Sequence, residues 1–187
     1  VSAGSNGWSC SAISAFAVYV SNSDSIRVEN NTSNSNSQSY YGNCQSYSNG
    51  FYCSSSSKCV FRGNTLLVSS NTGKALSTGV SIQNSDSIYL ETNNFTLTSS
   101  GSSNGGFSIN RGLNISSCDD CFIINNNLDN ASSLEYGLQY TGQRSKIESN
   151  TIGVNENGIL INGGSDNIVE KNSITASSIK GIEVSSS

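Results

Sequence analysis

The 187-residue chain has no proline and no methionine, and only 12% of its residues are charged. Without proline, every residue offers a backbone N–H, as interior strands of a sheet require. Without an initiator methionine, the sequence reads as a processed or excised segment carrying no targeting signal of its own. No apolar run is long enough to cross a bilayer, so a membrane span is excluded and the segment is expected to be soluble. With 9 basic against 13 acidic residues, no basic stripe exists to neutralise phosphates, which excludes nucleic acid as a partner.

What is present is serine, asparagine, threonine and glycine, with 34% apolar residues, enough for one narrow core in a single domain. Six cysteines and N-x-Ser/Thr sequons at Asn30, Asn31, Asn94, Asn114 and Asn130 together point to an oxidising, glycosylating, extracellular or cell-surface location.

A short pattern returns along the chain. "AVYV" at Ala17 is followed by "GFYC" at Gly50, "GVSI" at Gly79, "GLNI" at Gly112, "GLQY" at Gly137, "GILI" at Gly158 and "GIEV" at Gly181, at spacings of 33, 29, 33, 25, 21 and 23 residues. A period in this range marks a solenoid. Within each coil, apolar residues alternate with strand spacing, first at pairs such as Val80/Ile82, then at Ile88/Leu90, and a third strand is marked by residues such as Phe95. The expected fold is all-β: a parallel β-helix of about seven coils and three parallel sheets over 17–187, with 1–16 as an N-terminal cap or assembly segment. Between the second and third strands of successive coils stand Asn31, Asn64, Asn93, Asn126, Asn150 and Asn172. Asparagine tolerates left-handed backbone angles and its amide can bond the same group in the next coil, so these six are expected to turn the chain and to form a ladder.

Coils such as "GILINGGSDNIVEKNSI" resemble the right-handed parallel β-helix repeat of pectate-lyase-like proteins over about Ala17 to Val184. The resemblance implies the right hand of the helix, and it implies that any catalysis runs along the outer face of the first sheet. That face is expected to carry Tyr19, Tyr52, Ser81, Asn114, Gln139, Leu160 and Glu183. One carboxylate and no base do not make an acid/base pair. "SCDDCFI" is similar to the Asp-Asp-Cys of polygalacturonases, but the Gly-His-Gly and Arg-x-Lys elements are missing and the chain has no histidine. Asp119 and Asp120 are therefore expected to serve the turn. No catalytic residue and no cofactor is assigned.

Cys59 and Cys121 occupy equivalent inward positions two coils apart, about 9.6 Å, which argues against one shared zinc ion. Of the 15 possible pairings, the register favours Cys53 with Cys59 and Cys118 with Cys121, leaving Cys10 with Cys44. Of the sequons, Asn94, Asn114 and Asn130 are expected to face solvent, with Asn30 a further candidate, whereas Asn31 belongs to the ladder. On the second sheet Val60, Tyr89 and Phe122 form an outward apolar stripe, to be covered by the chain's own insertions or by another subunit, and Trp8 adds apolar surface before the first coil. The insertions, 33–49, 68–78, 96–111 and 129–136, are read as solvated loops whose tyrosines, Tyr40 and Tyr41 among them, offer possible glycan contacts. The function expected is that of an extracellular structural or adhesive β-helix, self-associating head-to-tail or laterally into a filament or surface assembly. The alternatives are a fragment of a carbohydrate-active lyase or hydrolase and a glycan-binding module.

Overall fold

The computed structural model describes residues 2–5, 13–39, 45–71, 74–100, 108–131, 134–153, 155–175 and 179–185. Trp8, Cys10, Tyr40, Tyr41 and Cys44 lie outside the described residues, so the Cys10–Cys44 pairing and the role expected of Trp8 do too. Among the described residues every helix or strand element is a strand, and all strand pairs are parallel.

Three sheets wrap around one core. The first contains Ile13–Ser21, Gln45–Ser54, Lys74–Gln83, Ser108–Ser116, Leu134–Tyr140, Asn155–Asn162 and Lys180–Ser185. The second stacks Arg27–Glu29, Val60–Arg62, Tyr89–Glu91, Phe122–Ile124, Lys146–Glu148 and Ile168–Glu170. The third stacks Ser2–Ser5, Thr32–Ser39, Thr65–Asn71, Asn94–Ser100, Asn127–Ala131, Thr151–Ile152 and Ser173–Ile174. Each coil thus passes through the sheets in turn, and the parallel β-solenoid expected from the repeat is the fold observed. Coils begin earlier than Ala17: Ser2–Ser5 pairs with Asn36–Ser39, and the first-sheet strand starts at Ile13.

Inward rows run up the axis through one residue per coil. Cys53, Ile82, Ile115, Tyr140 and Ile161 form one, and Phe61, Leu90, Ile123 and Ile147 another, all 3% exposed or less. Each large apolar side chain so buried contributes about 1.5–3 kcal/mol.

The segments expected to be solvated loops are largely strand. Ser35, Ser37, Ser46, Ser48, Ser70 and Ser77 are buried because the far half of each third-sheet strand packs against the near half of the next first-sheet strand. The Ser48 hydroxyl donates to Ser69 O at 2.5 Å, the Ser77 hydroxyl donates to Thr98 O at 2.6 Å, and Ser70 and Ser77 hydroxyls meet at 3.0 Å. Serine's small volume lets the two sheets close on one another, and its hydroxyl satisfies the polar groups buried there.

The glycine that opens each coil has a steric cause. Gly50, Gly79, Gly112, Gly137 and Gly158 stand in one column, and a Cβ on each would lie 1.9–2.8 Å from the carbonyl oxygen of the glycine above. None of the five has a positive φ, so it is the close approach, not backbone freedom, that demands glycine there.

Candidate functional site

The corner between the second and third sheets is an amide ladder. The Oδ1 of Asn64, Asn93, Asn126, Asn150 and Asn172 each accepts from both the backbone N–H and the Nδ2 of the ladder asparagine one coil below, at 2.9–3.2 Å. Each Nδ2 also donates to a carbonyl of the coil below, Val28, Phe61, Leu90, Ile123 and Ile147 in turn, at 2.8–2.9 Å. Four hydrogen bonds saturate each interior amide. The left-handed residue is not the ladder asparagine but the one before it: Asn30, Gly63, Thr92, Asn125, Ser149 and Lys171 have φ between 51° and 62°. The ladder residue is selected for its side chain and its neighbour carries the turn.

At the corner between the first and second sheets, serine does a smaller version of this job. Ser56 Oγ accepts from Ser23 N at 3.2 Å and donates to Ser54 O at 2.8 Å, and Ser85 repeats both bonds with Ser56 N and Gln83 O. In the next coil Cys118 takes that position and is joined to Cys121 by a disulfide. One coil further the corner is a residue shorter, and the buried Tyr140 hydroxyl donates to Cys118 O and lies 2.6 Å from Ser145 Oγ. Burial pushes the Tyr140 hydroxyl up to about 12.

Cys53 and Cys59 are both fully buried and are not joined, which corrects the pairing expected from register. Burial, and then the neighbouring Cys59, push the Cys53 thiol up to about 11. Their coil keeps Ser56 at the corner position that Cys118 occupies two coils on, so the corner is already closed by hydrogen bonds.

Asp119 and Asp120 act on the corner. Asp119 Oδ1 accepts from Gln143 N at 2.9 Å, as Asp86 Oδ1 accepts from Asp119 N and Asp24 Oδ1 from Ser57 N in lower coils. Arg144 makes a two-pronged contact with Asp120 at 2.9 Å and reaches Asp119 at 3.4 Å. The Arg144 bond holds the Asp120 carboxyl below its usual range. Along the second sheet Glu29, Arg62 and Glu91 alternate in adjacent coils and pair at 3.5 and 2.7 Å. Glu148 is gripped by Lys146 and Lys171 at 2.6 and 2.8 Å, and these bonds, Lys146 first, lower its carboxyl to about 2.

On the outer face of the first sheet, Tyr19, Tyr52, Ser81, Asn114, Gln139, Leu160 and Glu183 stand in register as the sequence indicates. The strands start well before the glycine column, however, so a second outward row stands three residues earlier: Phe16, Asn49, Thr78, Arg111, Tyr136 and Asn157, then Lys180. The two rows converge. Phe16 meets Tyr19 edge-on at 5.4 Å, and Lys180 pairs with Glu183. Thr78 and Ser81 between them are only 6% and 7% exposed. This face does hold basic residues, Arg111 and Lys180, contrary to the expectation from one row alone. Arg111 pairs with Glu135 at 2.7 Å and lies 5.6 Å over the Tyr136 ring. At one end Tyr19 and Tyr52 stack at 5.0 Å with rings 9° from parallel.

Of the sequons, Asn30 is exposed at a left-handed position. Asn114 is half-buried in the row from Tyr19 to Glu183. Asn94, between the inward Asn93 and Phe95, is also half-buried, and its Oδ1 is buried without a hydrogen-bond partner among the described residues. Asn130 lies in a third-sheet strand. Val60, Tyr89 and Phe122 are adjacent in register and half-buried, and Tyr89 and Phe122 stack on each other at 4.8 Å.

No curated protein and no solved structure matches the chain. A protein-family model does match it, over residues 42–187, most of its length: that of NosD, described as a periplasmic copper-binding protein. The chain belongs to the NosD family.

Proposed function

We propose that the chain is a non-catalytic structural and adhesive β-helix of the cell envelope. The membership of a periplasmic family supports an extracellular or envelope location. The observation that carries the structural reading is the use made of the carboxylates. Asp24, Asp86 and Asp119 hold the backbone of the coil above. Glu29, Glu91, Asp120 and Glu148 are ion-paired to basic residues, mostly of neighbouring coils. A carboxyl held ionised, as Asp120 and Glu148 are, is a poor general acid at neutral pH.

The family's description names copper. The chain has no histidine and no methionine, and among the described residues no group of three or more His, Cys, Asp or Glu is placed to hold a metal. The two free thiols among the described residues, Cys53 and Cys59, are fully buried, and that of Cys53 resists deprotonation, whereas copper binds the thiolate. The described residues do not fit a copper ion, and nothing in this reading passes through one.

Incubation of the protein with acidic and neutral polysaccharides tests the reading. No release of reducing or unsaturated ends is expected, and product formation lost in an Asp119→Ala/Asp120→Ala variant of unchanged stability would overturn it. The filament form of the reading adds a contact between copies. Equilibrium sedimentation over a concentration series checks it: mass that grows with concentration supports the contact, and a constant monomer mass removes it.

A further inference from the structure

We propose that the outer face of the second sheet is a lateral interface on which two copies of the chain pair side by side, related by a two-fold axis parallel to the solenoid axis. The proposal rests on the reading of the chain as an envelope scaffold with a contact between copies, and it gives that contact a face and a geometry.

The face is apolar in the middle and charged toward its ends. In the central coils Val60, Tyr89 and Phe122 stand in one row, with Ile124 beside Phe122 in the next, and the Tyr89 and Phe122 rings lie 7° from parallel. Toward one end stand Arg27 and Glu29, and toward the other Lys146, Glu148 and Glu170. An apolar centre with a charged rim is how protein–protein contacts are built. The chain's own lengthened segments do not border this face. They join the third sheet to the first, whereas the connections on either side of the second sheet are short turns, such as 55–59 and 63–64.

Charge decides how a second copy fits. A two-fold axis along the solenoid sets each coil against the same coil of the partner and exchanges the two rows of the face. Arg27 then faces the partner's Glu29, Lys146 faces the partner's Glu148, and Phe122 faces the partner's Ile124, each contact made twice by symmetry. The bordering turns bring Asp166 toward the partner's Lys171. No coil opposes like charges. Turning one copy end for end would instead set Glu29 against the partner's Glu170 and Lys58 against the partner's Arg144, repulsions that weigh against that arrangement. Within one chain Arg27 already pairs with Glu29 and Lys146 with Glu148, so the dimer turns each pair into a square of four alternating charges. Exposed charges of this kind fix register more than they add affinity. With three residues per strand the face is narrow, and a dissociation constant of roughly 10–100 µM is expected.

Equilibrium sedimentation of the intact protein, up to roughly 1 mM, tests the proposal. The mass should rise with concentration and level off at twice that of the chain. Phe122→Lys should weaken pairing about tenfold or more. Lys146→Glu alone and Glu148→Lys alone should each weaken it about tenfold, because each sets like charges across the axis twice. An equimolar mixture of those two variants should pair as tightly as wild type, since each chain then opposes the other's charges, and a defect of folding is not repaired by mixing. Tyr19→Ala on the first sheet should change nothing. A constant monomer mass, growth beyond two copies, wild-type pairing by a folded Phe122→Lys variant, or a mixture that pairs no better than its components would each overturn the proposal. These outcomes are separable from failure of the scaffold reading, which fails only if polysaccharide is cleaved.

Discussion

The two corners that flank the second sheet solve the same problem with different strictness. Where the chain leaves that sheet, asparagine occupies the inward position in all six coils from Asn31 to Asn172, because an interior amide accepts twice from the coil below, donates once to a backbone carbonyl of that coil and donates once to the Oδ1 of the asparagine above. Where the chain enters it, the inward position needs only one bond accepted and one donated, and Ser56, Ser85, the Cys118–Cys121 disulfide and the Tyr140 hydroxyl with Ser145 all suffice. The constancy of a residue along this solenoid follows the number of coil-to-coil bonds that its side chain alone can make.

The largest effect should come from the strict corner. Asn126→Ala removes the acceptor for the Asn93 N–H and Nδ2 and the donor to Leu90 O, leaving several buried polar groups unpaired, and denaturant unfolding should show a loss of about 3–5 kcal/mol. Gly112→Ala extends the rule to sterics. Its Cβ would lie 1.9 Å from Gly137 O, against 2.8 Å from Gly112 O for Gly79→Ala. The first should cost about 3 kcal/mol and the second measurably less, because a backbone carbonyl cannot step aside as a side chain can.

The permissive corner should respond more weakly. Reducing Cys118–Cys121, which closes a loop of sequence separation 3, is expected to lower stability by about 2 kcal/mol, and Ser56→Ala by about 1 kcal/mol. A Ser56→Ala loss equal to that of Asn126→Ala would erase the distinction between the corners.

The smallest effect is on pH. Glu148 precedes the ladder residue Asn150 by two positions, and its carboxyl falls from 4.5 to about 2 in the folded chain because Lys146 and Lys171 bond it. A depressed folded pKa gives stability that is present above the unfolded value and lost as pH falls through the folded one. The unfolding midpoint should therefore drop between about pH 5 and pH 2, and Glu148→Gln should flatten that dependence.

The strict features were legible in the sequence and the permissive ones were not. The asparagine column and the row from Tyr19 to Glu183 repeat one residue type or one alternation, so spacing alone locates them. The serine-lined arms were not legible. Ser35, Ser48 and Ser77 carry the composition of turns, and only the closeness of two sheets makes a buried serine the residue that fits. Arg111 was missed for the same reason: with the strand begun at glycine, one to five residues too late, the second outward row of the first sheet fell in a supposed loop. The glycine column was visible as a mark, but its cause, the carbonyl of the next coil, is a contact between residues 21 to 33 positions apart. The unjoined Cys53 and Cys59 show the limit of register, which places two thiols near one corner without indicating that hydrogen bonds from Ser56 already close it.

Amide hydrogen exchange, read residue by residue, tests the central claim most directly. The backbone N–H groups of Asn64, Asn93 and Asn126, each bonded to a side-chain oxygen of the next coil at 2.9–3.1 Å, should exchange as slowly as those of the core strands and more slowly than those of Ser23 and Ser56 at the permissive corner. Exchange of the three asparagine amides at loop-like rates, or faster than the two serine amides, would contradict the account of the ladder as the spine of this solenoid.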